Sequence, residues 1–444
     1  MPAPSTRRRF LTGAAGALAV LAGCNEQSSP SRRGTVTPVD VPRTDEELLQ
    51  EAANIDVPSV PKAVIVSESH LQAAIDHIES VRSTVESVLA DSDIEPENYD
   101  GIRYGTPKSI LDDTEQRLED VRELGRTEQA LSIASNTLRE LSRLLGVLQA
   151  ETGAADGESL RKEIEAERDA IDALPSQFDY RVATPVERYL PTLYTAESKL
   201  ENLTQGPFPA RAETEEADDE TVPPSRIGEL RLHLEHLRRQ RDDVERFHAT
   251  ATDESAPPVR DGIDDALTQL EAEVRQIAEE YGAEPSGQRE DLGETAEGRI
   301  RGVRRSVGAR SRRWTEGFEE FRQDGRRMVG LLEVTEWLLL FEGVDAAVDR
   351  TLTRLDPDDF PTESVVTEKR RAVEALEAVA DGTALQRRFA ERANGLLRSA
   401  DSRAERGIGN TEEVAFVHLL YVSAKECANR AATRSETVSE ALGG

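Results

Sequence analysis

The chain contains 444 residues, with 86 Asp and Glu against 55 Lys and Arg, so its formal net charge is -31. Only two cysteines occur, which excludes a disulfide-rich scaffold, and the 32% of charged residues excludes a polytopic membrane protein. Because carboxylates and phosphates repel each other, this charge also disfavours nucleic acid as a partner.

The basic residues are almost all arginine. Six lysines occur in the whole chain, namely Lys62, Lys108, Lys162, Lys199, Lys369 and Lys425. An acidic surface repels itself in dilute buffer, but at about 1 M salt the Debye length falls to roughly 3 Å and the repulsion is screened. The composition therefore resembles that of proteins from halophilic archaea, and an ordinary acidic bacterial protein is the alternative.

The first residues carry two motifs in register. Arg7 and Arg8 precede an apolar run that ends in Leu-Ala-Gly followed by Cys24. The run is too short to cross about 30 Å of hydrocarbon, which indicates a signal peptide rather than a membrane span. The arginine pair is similar to the twin-arginine motif, and the Leu-Ala-Gly-Cys segment resembles a lipobox. The chain thus resembles Tat-exported lipoproteins of halophilic archaea, over its first 30 or so residues and in composition.

This resemblance implies a fate for the N-terminus. Residues 1–23 would be a removed Tat signal peptide with Arg7 and Arg8 as export determinants, and Cys24 would carry a lipid that holds the protein at the outer face of the membrane. Residues 24–43, which include many Ser, Pro and Thr, are predicted to form a flexible tether. Cys427 is then the remaining thiol, and its small helical neighbours predict a buried side chain.

Apolar residues recur at the helical period through the rest of the chain, which predicts an all-α, elongated multi-helix bundle with coiled-coil-like packing. An N-terminal helical domain is predicted over 44–204. Its first clear helix is expected to begin with a capping box formed by Ser69 and Gln72, and a second at Thr106. The later part of that second helix carries an apolar seam of Leu131, Ala134, Leu138, Leu141, Leu145 and Leu148.

Residues 205–225 combine four prolines with clustered acids and are predicted to be a linker before a C-terminal helical bundle over 226–442. This bundle is expected to contain a long helical region over 294–355, either continuous or interrupted near Asp324. Two segments that are apolar on all sides, 337–341 and 414–422, are predicted to be buried and to pack near each other. Alternating strand patterns are not found, which counts against α/β solute-binding lobes and β-sandwiches.

His233 and His236 lie on one predicted helical face with Glu229 one turn earlier, a spacing that could offer three metal ligands. Both histidines flank the apolar seam, so we expect a solvated helix face and no metal, and a metal site is the alternative. Glu245 and His248 form a single Glu-x-x-His pair, whereas a di-iron centre in a helical bundle needs two such pairs.

Three other features have two interpretations each. Seven arginines between Arg299 and Arg313, with no acid among them, either pair with acidic neighbouring helices or form a patch that binds an anion or a partner. Trp314, Phe318 and Phe321 are expected to pack in the core, with an aromatic ligand cradle as the alternative. Asn202 begins an Asn-Leu-Thr acceptor sequence for N-glycosylation.

Linear motifs for nucleotide binding, serine nucleophiles or metal-dependent hydrolysis are not found in the sequence, which favours a protein that is not an enzyme and has no cofactor. We expect a membrane-anchored helical interaction or structural module that contacts an unknown protein partner. The alternative is a helical ligand- or metal-binding lipoprotein, with a pocket near residues 314–341 or near the histidine pair. A pocket with convergent polar groups would favour the alternative, and a filled core would favour the first hypothesis.

Overall fold

The computed structural model describes residues 43–97, 105–205, 222–281, 295–355, 360–406 and 411–443. Within these ranges the chain forms α-helices, one short 3₁₀ helix (Leu174–Gln177) and an isolated antiparallel bridge between Val182 and Thr252, with no β-strand. The all-α prediction is therefore confirmed. The elongated shape and the coiled-coil-like packing stay predictions. The predicted signal peptide lies outside the described residues, as do nearly all of the tether and most of the 205–225 segment.

The helices in chain order are α1 (Arg43–Ala53), α2 (Glu68–Ala90), α3 (Pro107–Leu124), α4 (Glu128–Glu151), α5 (Gly157–Ala173), α6 (Val186–Gln205), α7 (Pro224–Ala251), α8 (Arg260–Tyr281), α9 (Ala296–Gly308), α10 (Ser311–Gln323), α11 (Arg327–Leu352), α12 (Glu363–Ala380), α13 (Ala384–Glu405) and α14 (Thr411–Ala441). Among these described helices, none is both long enough and apolar enough to span a bilayer.

Several helices begin at the residues that the sequence indicates. Thr106 is the N-cap of α3 and forms a capping box with Ser109, with Pro107 in the first turn. The seam of α4 is buried along its whole predicted length. α3 and α4 are separate helices, however, because Gly125 ends α3 with a φ of 59° and Thr127 caps α4.

The predicted capping box at the start of α2 is wrong. The helix begins at Glu68, and the side chain of Ser67 accepts a hydrogen bond from the backbone N–H of His70 at 3.1 Å. The amide of Gln72 instead donates to Asp76 at 2.7 Å, one turn further along the same helix. Ser67, two residues before Ser69, therefore caps the helix.

The packing divides the helices into two groups that meet along α6. The first group is α2 to α7, in which α7 packs on α4, α5 and α6, while α2 and α3 pack on α4. The second group is α8 to α14, centred on α14, which contacts α11, α12 and α13. α6 contacts both α7 and the helices α11 and α13. α7, which the sequence analysis placed in the C-terminal bundle, thus packs mainly on helices that precede it.

The region 294–355 consists of three helices rather than one. Gly325, with a φ of 70°, separates α10 from α11. The predicted interruption near Asp324 is therefore correct, and the continuous helix is not. A second break, between α9 and α10, follows Gly308, which packs directly against the ring of Tyr281. A side chain at Gly308 would come within 2.7 Å of that ring, so the close contact depends on glycine.

Helices α11 and α14 carry the two all-apolar segments and pack against each other. Thr351 lies opposite His418 at 3.0 Å, and the thiol of Cys427 donates to the carbonyl of Leu339 at 3.4 Å, which makes the two helices antiparallel. The segments are buried as predicted, although each faces a different turn of the other helix. Cys427 is buried as predicted, and burial raises its pKa to about 12.

Polar side chains of α6 join the two groups of helices. Glu336 of α11 binds Arg388 at 2.7 Å and Arg392 at 2.5 Å, both on α13, and the guanidinium of Arg388 stacks 3.6 Å from the ring centroid of Tyr194 on α6. The α6 carboxylate of Glu197 accepts hydrogen bonds from Tyr180 and from the backbone N–H of Val329 at 2.9 Å. The junction is therefore held by polar groups that satisfy one another.

Three of the six lysines also form ion pairs between helices. Lys369 has a fully buried side chain that donates to Asp401 at 2.6 Å, and Lys425, 10% exposed, donates to Glu368 at 2.7 Å. Lys199, 26% exposed, binds Asp243 at 3.1 Å. Lys62, Lys108 and Lys162 are 55% to 71% exposed.

Candidate functional site

A polar cleft opens between α4 and α7, and its geometry follows from how these helices cross. Gly146 and Gly228 meet so closely that an added Cβ on Gly146 would lie 2.9 Å from the Gly228 Cα. Gln240 reaches Ser135 at 3.5 Å further along, so the helices are antiparallel. The glycines allow a close approach of α4 and α7 at one end of their contact, and the cleft lies towards the start of α4.

The cleft encloses a cavity of about 350 Å³ between α4, α6 and α7. This size lies at the lower end of the range typical of small-molecule sites, about 300 to 1,000 Å³. Its walls are mostly polar side chains, with two apolar residues on the inner side. The lining residues are Glu128, Leu131, Ser132, Ser135, Asn136, Arg139, Lys199, His236, Gln240, Asp243 and Phe247.

Two cations and one neutral imidazole face this cavity. The ammonium of Lys199 donates to Asp243 at 3.1 Å and to Gln240 at 3.4 Å. Burial lowers the pKa of His236 to about 4, and the positive charge of Arg139 adds to this effect. His236 is therefore uncharged at neutral pH.

The cavity also has an acid at one end. Burial raises the pKa of Glu128, and the nearby Lys199 only partly opposes this rise. Asp243 has the opposite behaviour: burial would raise its pKa, but the hydrogen bond from His70 and the charge of Arg239 outweigh burial, so its pKa is lowered. Asp243 is thus a negative charge in the cavity wall that His70 and Arg239 compensate, and Glu128 is a carboxyl in a less compensated position.

One cluster in the described residues has the composition of a metal site, and it includes Asp243 of the cavity wall. Ligand atoms of His70, Asp242 and Asp243 lie within 4.8 Å of one another. His70 binds Asp243 at 2.8 Å, but Arg239 binds both carboxylates and Arg246 binds Asp242 at 2.7 Å. A divalent cation would have to displace these guanidinium groups, so we interpret the cluster as a structural ion-pair network.

The predicted metal candidates are not brought together. Glu229 is exposed and pairs with Arg143 at 3.0 Å, and His233 is buried with its ring near Arg168. The expectation of a solvated face is wrong for His233, because α7 is covered by α4, α5 and α6 and has little free surface. His236, in contrast, lines the cavity described above.

The arginine-rich stretch is largely engaged in ion pairs. Arg299 pairs with Glu412 of α14, and Arg304 pairs with Asp345 and Asp349 of α11. Arg301 and Arg312 pair with Glu297 and Glu316 on their own helices. These contacts favour pairing over an open anion-binding patch.

The aromatic stretch belongs to the core. Phe318 and Phe321 are each 1% exposed, and Trp314 packs at the edge of the same cluster. Residues 337–341 are also buried. A surface groove of about 540 Å³ between α11 and α14 lies nearby, but its Arg434 is already bound to Glu273 and Glu342. The histidine pair is therefore the better of the two predicted pocket positions.

The remaining predicted residues fall elsewhere. Asn202 is exposed near the end of α6. Arg7, Arg8 and Cys24 lie outside the described residues. Sequence analysis missed most of the cavity lining, although α4 carries a polar stripe of Glu128, Ser132, Ser135 and Arg139 at helical spacing beside its apolar seam.

Comparison with known proteins adds a division of the chain. Two family models match, each described as a domain of unknown function: DUF8262 over residues 69–257 and DUF8264 over residues 260–440. No curated protein and no solved structure matches the chain. The first match covers α2 to α7 and thus contains the whole cavity, and the second covers α8 to α14.

Proposed function

We propose that this protein is an extracytoplasmic lipoprotein, anchored at the outer face of the membrane by a lipid on Cys24, whose helical body is a non-enzymatic interaction or structural module. The anchor rests on the Arg7-Arg8 pair and the lipobox. The structural role proposed for the helical body rests on one observation. The buried acids Glu336 and Glu368 are bound to arginine or lysine from other helices, so their charges hold helices together.

The point at which the tether joins the body supports this arrangement. α1 directly follows the predicted tether and packs on α12 and α13, with Leu49 and Ala52 buried and Glu51 paired with Arg370 at 2.6 Å. A lipid on Cys24 would therefore hold the body through its second group of helices.

Replacing Cys24 by Ser tests the anchor. Because a thiol is needed for lipid attachment, we expect the variant to leave the membrane fraction and to be recovered in the medium. Cys427→Ser is the matched control and should stay in the membrane fraction, since Cys427 is buried in the core. Membrane retention of the Cys24→Ser protein after a high-salt wash would contradict the anchor.

The interaction role has its own test. In intact cells at native salt, a cross-linker should join the wild-type protein reproducibly to one partner in stoichiometric amount. The released Cys24→Ser protein should lose this product, because it no longer lies beside its partner at the membrane. A chain that remains uncross-linked in both forms would argue against an interaction module.

A second candidate function is ligand binding, and the cavity between α4, α6 and α7 favours it. Convergent polar groups around a cavity of about 350 Å³ are typical of a binding site rather than of a filled core. This function is compatible with the lipid anchor, because the cavity and the tether belong to different groups of helices.

A further inference from the structure

We propose that the cavity between α4, α6 and α7 binds a small organic carboxylate, with Lys199 and Arg139 holding the carboxylate group and Leu131 and Phe247 contacting the apolar part. This inference rests on the second candidate function, ligand binding, and names the chemical class of the ligand and the residues that recognise it.

Lys199 has the donors to bind such a group. Its ammonium has three N–H donors, of which Asp243 and Gln240 accept two. Asp243 keeps its bonds to His70 and Arg239, so a ligand that shares Lys199 does not leave a buried carboxylate without a partner. The third donor of Lys199 is thus available to a ligand at low cost.

Arg139 provides the second cation. It lies on α4 one turn beyond Ser135, and its charge acts on His236 across the cavity. A guanidinium binds a carboxylate through two parallel hydrogen bonds, a geometry that favours planar anions. At about 1 M salt charges beyond roughly 3 Å are screened, so only a ligand in direct contact with these cations would gain from them.

The rest of the lining indicates an organic ligand. Leu131 and Phe247 form an apolar wall, while the hydroxyl of Ser135 and the imidazole of His236 offer neutral hydrogen bonds. Ser132 and Asn136 are exposed at the entrance. An inorganic anion would leave the apolar wall without a contact, so the lining favours a carboxylate attached to an apolar group.

Glu128 distinguishes two classes of carboxylate ligand, simple carboxylic acids and amino acids. A simple carboxylate has no second polar group that could donate a hydrogen bond to the Glu128 carboxylate. An α-amino acid whose carboxylate binds Lys199 carries an ammonium group on the adjacent carbon, and that ammonium could donate to Glu128, which lies close enough to Lys199 for the charge of Lys199 to act on its pKa. Glu128→Gln should therefore weaken the binding of an amino acid and leave the binding of a simple acid unchanged or improved.

The test uses the full chain purified in detergent at high salt. The probes are phenylacetate, L-phenylalanine, inorganic phosphate and the uncharged methyl phenylacetate, and binding is measured by calorimetry and by saturation-transfer NMR. We expect at least one of the two carboxylates to bind saturably, and phosphate and the ester to bind at least tenfold more weakly. Lys199→Gln or Arg139→Gln should weaken binding about 10- to 100-fold, since each removes a charge-assisted contact.

Matched variants control for general effects of charge and folding. Lys162→Gln and Arg275→Gln remove exposed cations on α5 and α8 and should leave binding unchanged. Ser132→Trp fills the entrance without removing a charge or a core residue, and it should abolish binding. Circular dichroism establishes that each variant is folded, and Arg139→Gln and Ser132→Trp keep the test decisive if Lys199→Gln does not fold.

Two results would overturn the assignment: neither carboxylate binds, or their binding is the same in the three cavity variants as in the wild type. Mass spectrometry of the protein taken from cells separates this failure from failure of ligand binding itself. If a co-purified small molecule without a carboxylate is lost in Ser132→Trp, the cavity is a binding site but the proposed ligand class is wrong. If phenylacetate and L-phenylalanine fail and no molecule co-purifies, ligand binding is refuted as well.

Discussion

Glu336 offers a sharp test of whether a buried ion pair holds α11 to α13 next to the contact with α6. This α11 carboxylate binds two α13 guanidinium groups, one of which stacks on a tyrosine of α6. Replacement by Gln keeps the shape of the side chain but removes its charge. Arg388 and Arg392 would then face each other with no anion between them.

The cost follows from burial. The side chain of Glu336 is 6% exposed, and those of Arg388 and Arg392 are 14% and 18% exposed. Removing one partner of a buried ion pair costs about 3 to 5 kcal/mol, because the remaining charge stays desolvated. We expect a loss of about 3 kcal/mol in the free energy of unfolding, at the lower end, since both arginines keep some contact with water.

Urea unfolding at constant high salt, followed by circular dichroism, measures this loss. Glu391→Gln is the matched control. Glu391 lies on α13 beside Arg388 and Arg392, but it forms an exposed pair with Lys62 at 3.3 Å. That variant should lose less than about 1 kcal/mol. Buried pairs are screened little by salt, so the loss in Glu336→Gln should persist between about 1 M and 3 M salt.

The pH dependence gives a second measure of the same cluster. Burial alone would raise the pKa of Glu336, but Arg388 and Arg392 outweigh burial and lower it. The wild type should therefore lose this stabilisation as pH falls below the ordinary value of 4.5, and the Gln variant should lack that part of the loss. A change of under 1 kcal/mol in the free energy of unfolding for Glu336→Gln would refute the argument that this ion pair holds α11 to α13.

Further predictions concern other buried groups and the surface. Burial raises the pKa of Glu197 to about 7, so its ionisation should destabilise the fold as pH rises from 4.5 to 7; Glu197→Gln, measured by urea unfolding across this range, should remove up to about 3 kcal/mol of that dependence. A variant as sensitive to pH as the wild type would contradict this. Cys427 should react with a thiol reagent only after unfolding, because its pKa is raised to about 12; rapid labelling of the native protein would show an open core. The acidic surface should make thermal unfolding lose cooperativity as salt falls well below about 1 M, and a melting curve that does not change with salt would reject the halophilic interpretation.

The helices and their apolar faces could be predicted from local sequence, because helical periodicity and N-caps act within a few residues. The α4 seam and the N-cap at Thr106 are examples. The break after Gly308 could not be predicted in this way, since it involves the ring of Tyr281 on another helix. The burial of His233 was missed for a similar reason: how many helices surround α7 is not encoded in α7 alone.

The candidate site shows the same limit more strongly. Its lining comes from three helices, and His236 was the one member singled out beforehand. Its helices α4 and α7 also meet closely at Gly146 and Gly228, a contact between residues far apart in sequence. The polar stripe on α4 did not by itself indicate a site, because local sequence does not place Lys199 of α6 opposite to it. The proposed anchor motif, in contrast, would act as a linear signal, so it needs no fold to be predicted.

The placement of the lysines decides which reagents can map the surroundings of this protein. Amine-reactive cross-linkers need an accessible lysine whose amine can lose its proton, and Lys369 and Lys425 are buried in bonds to carboxylates. Such reagents would therefore reach mainly Lys62, Lys108 and Lys162, so that α11, α13 and α14 would leave almost no trace in the products. Chemistry directed at carboxyl groups, which this surface carries in abundance, would sample the whole body.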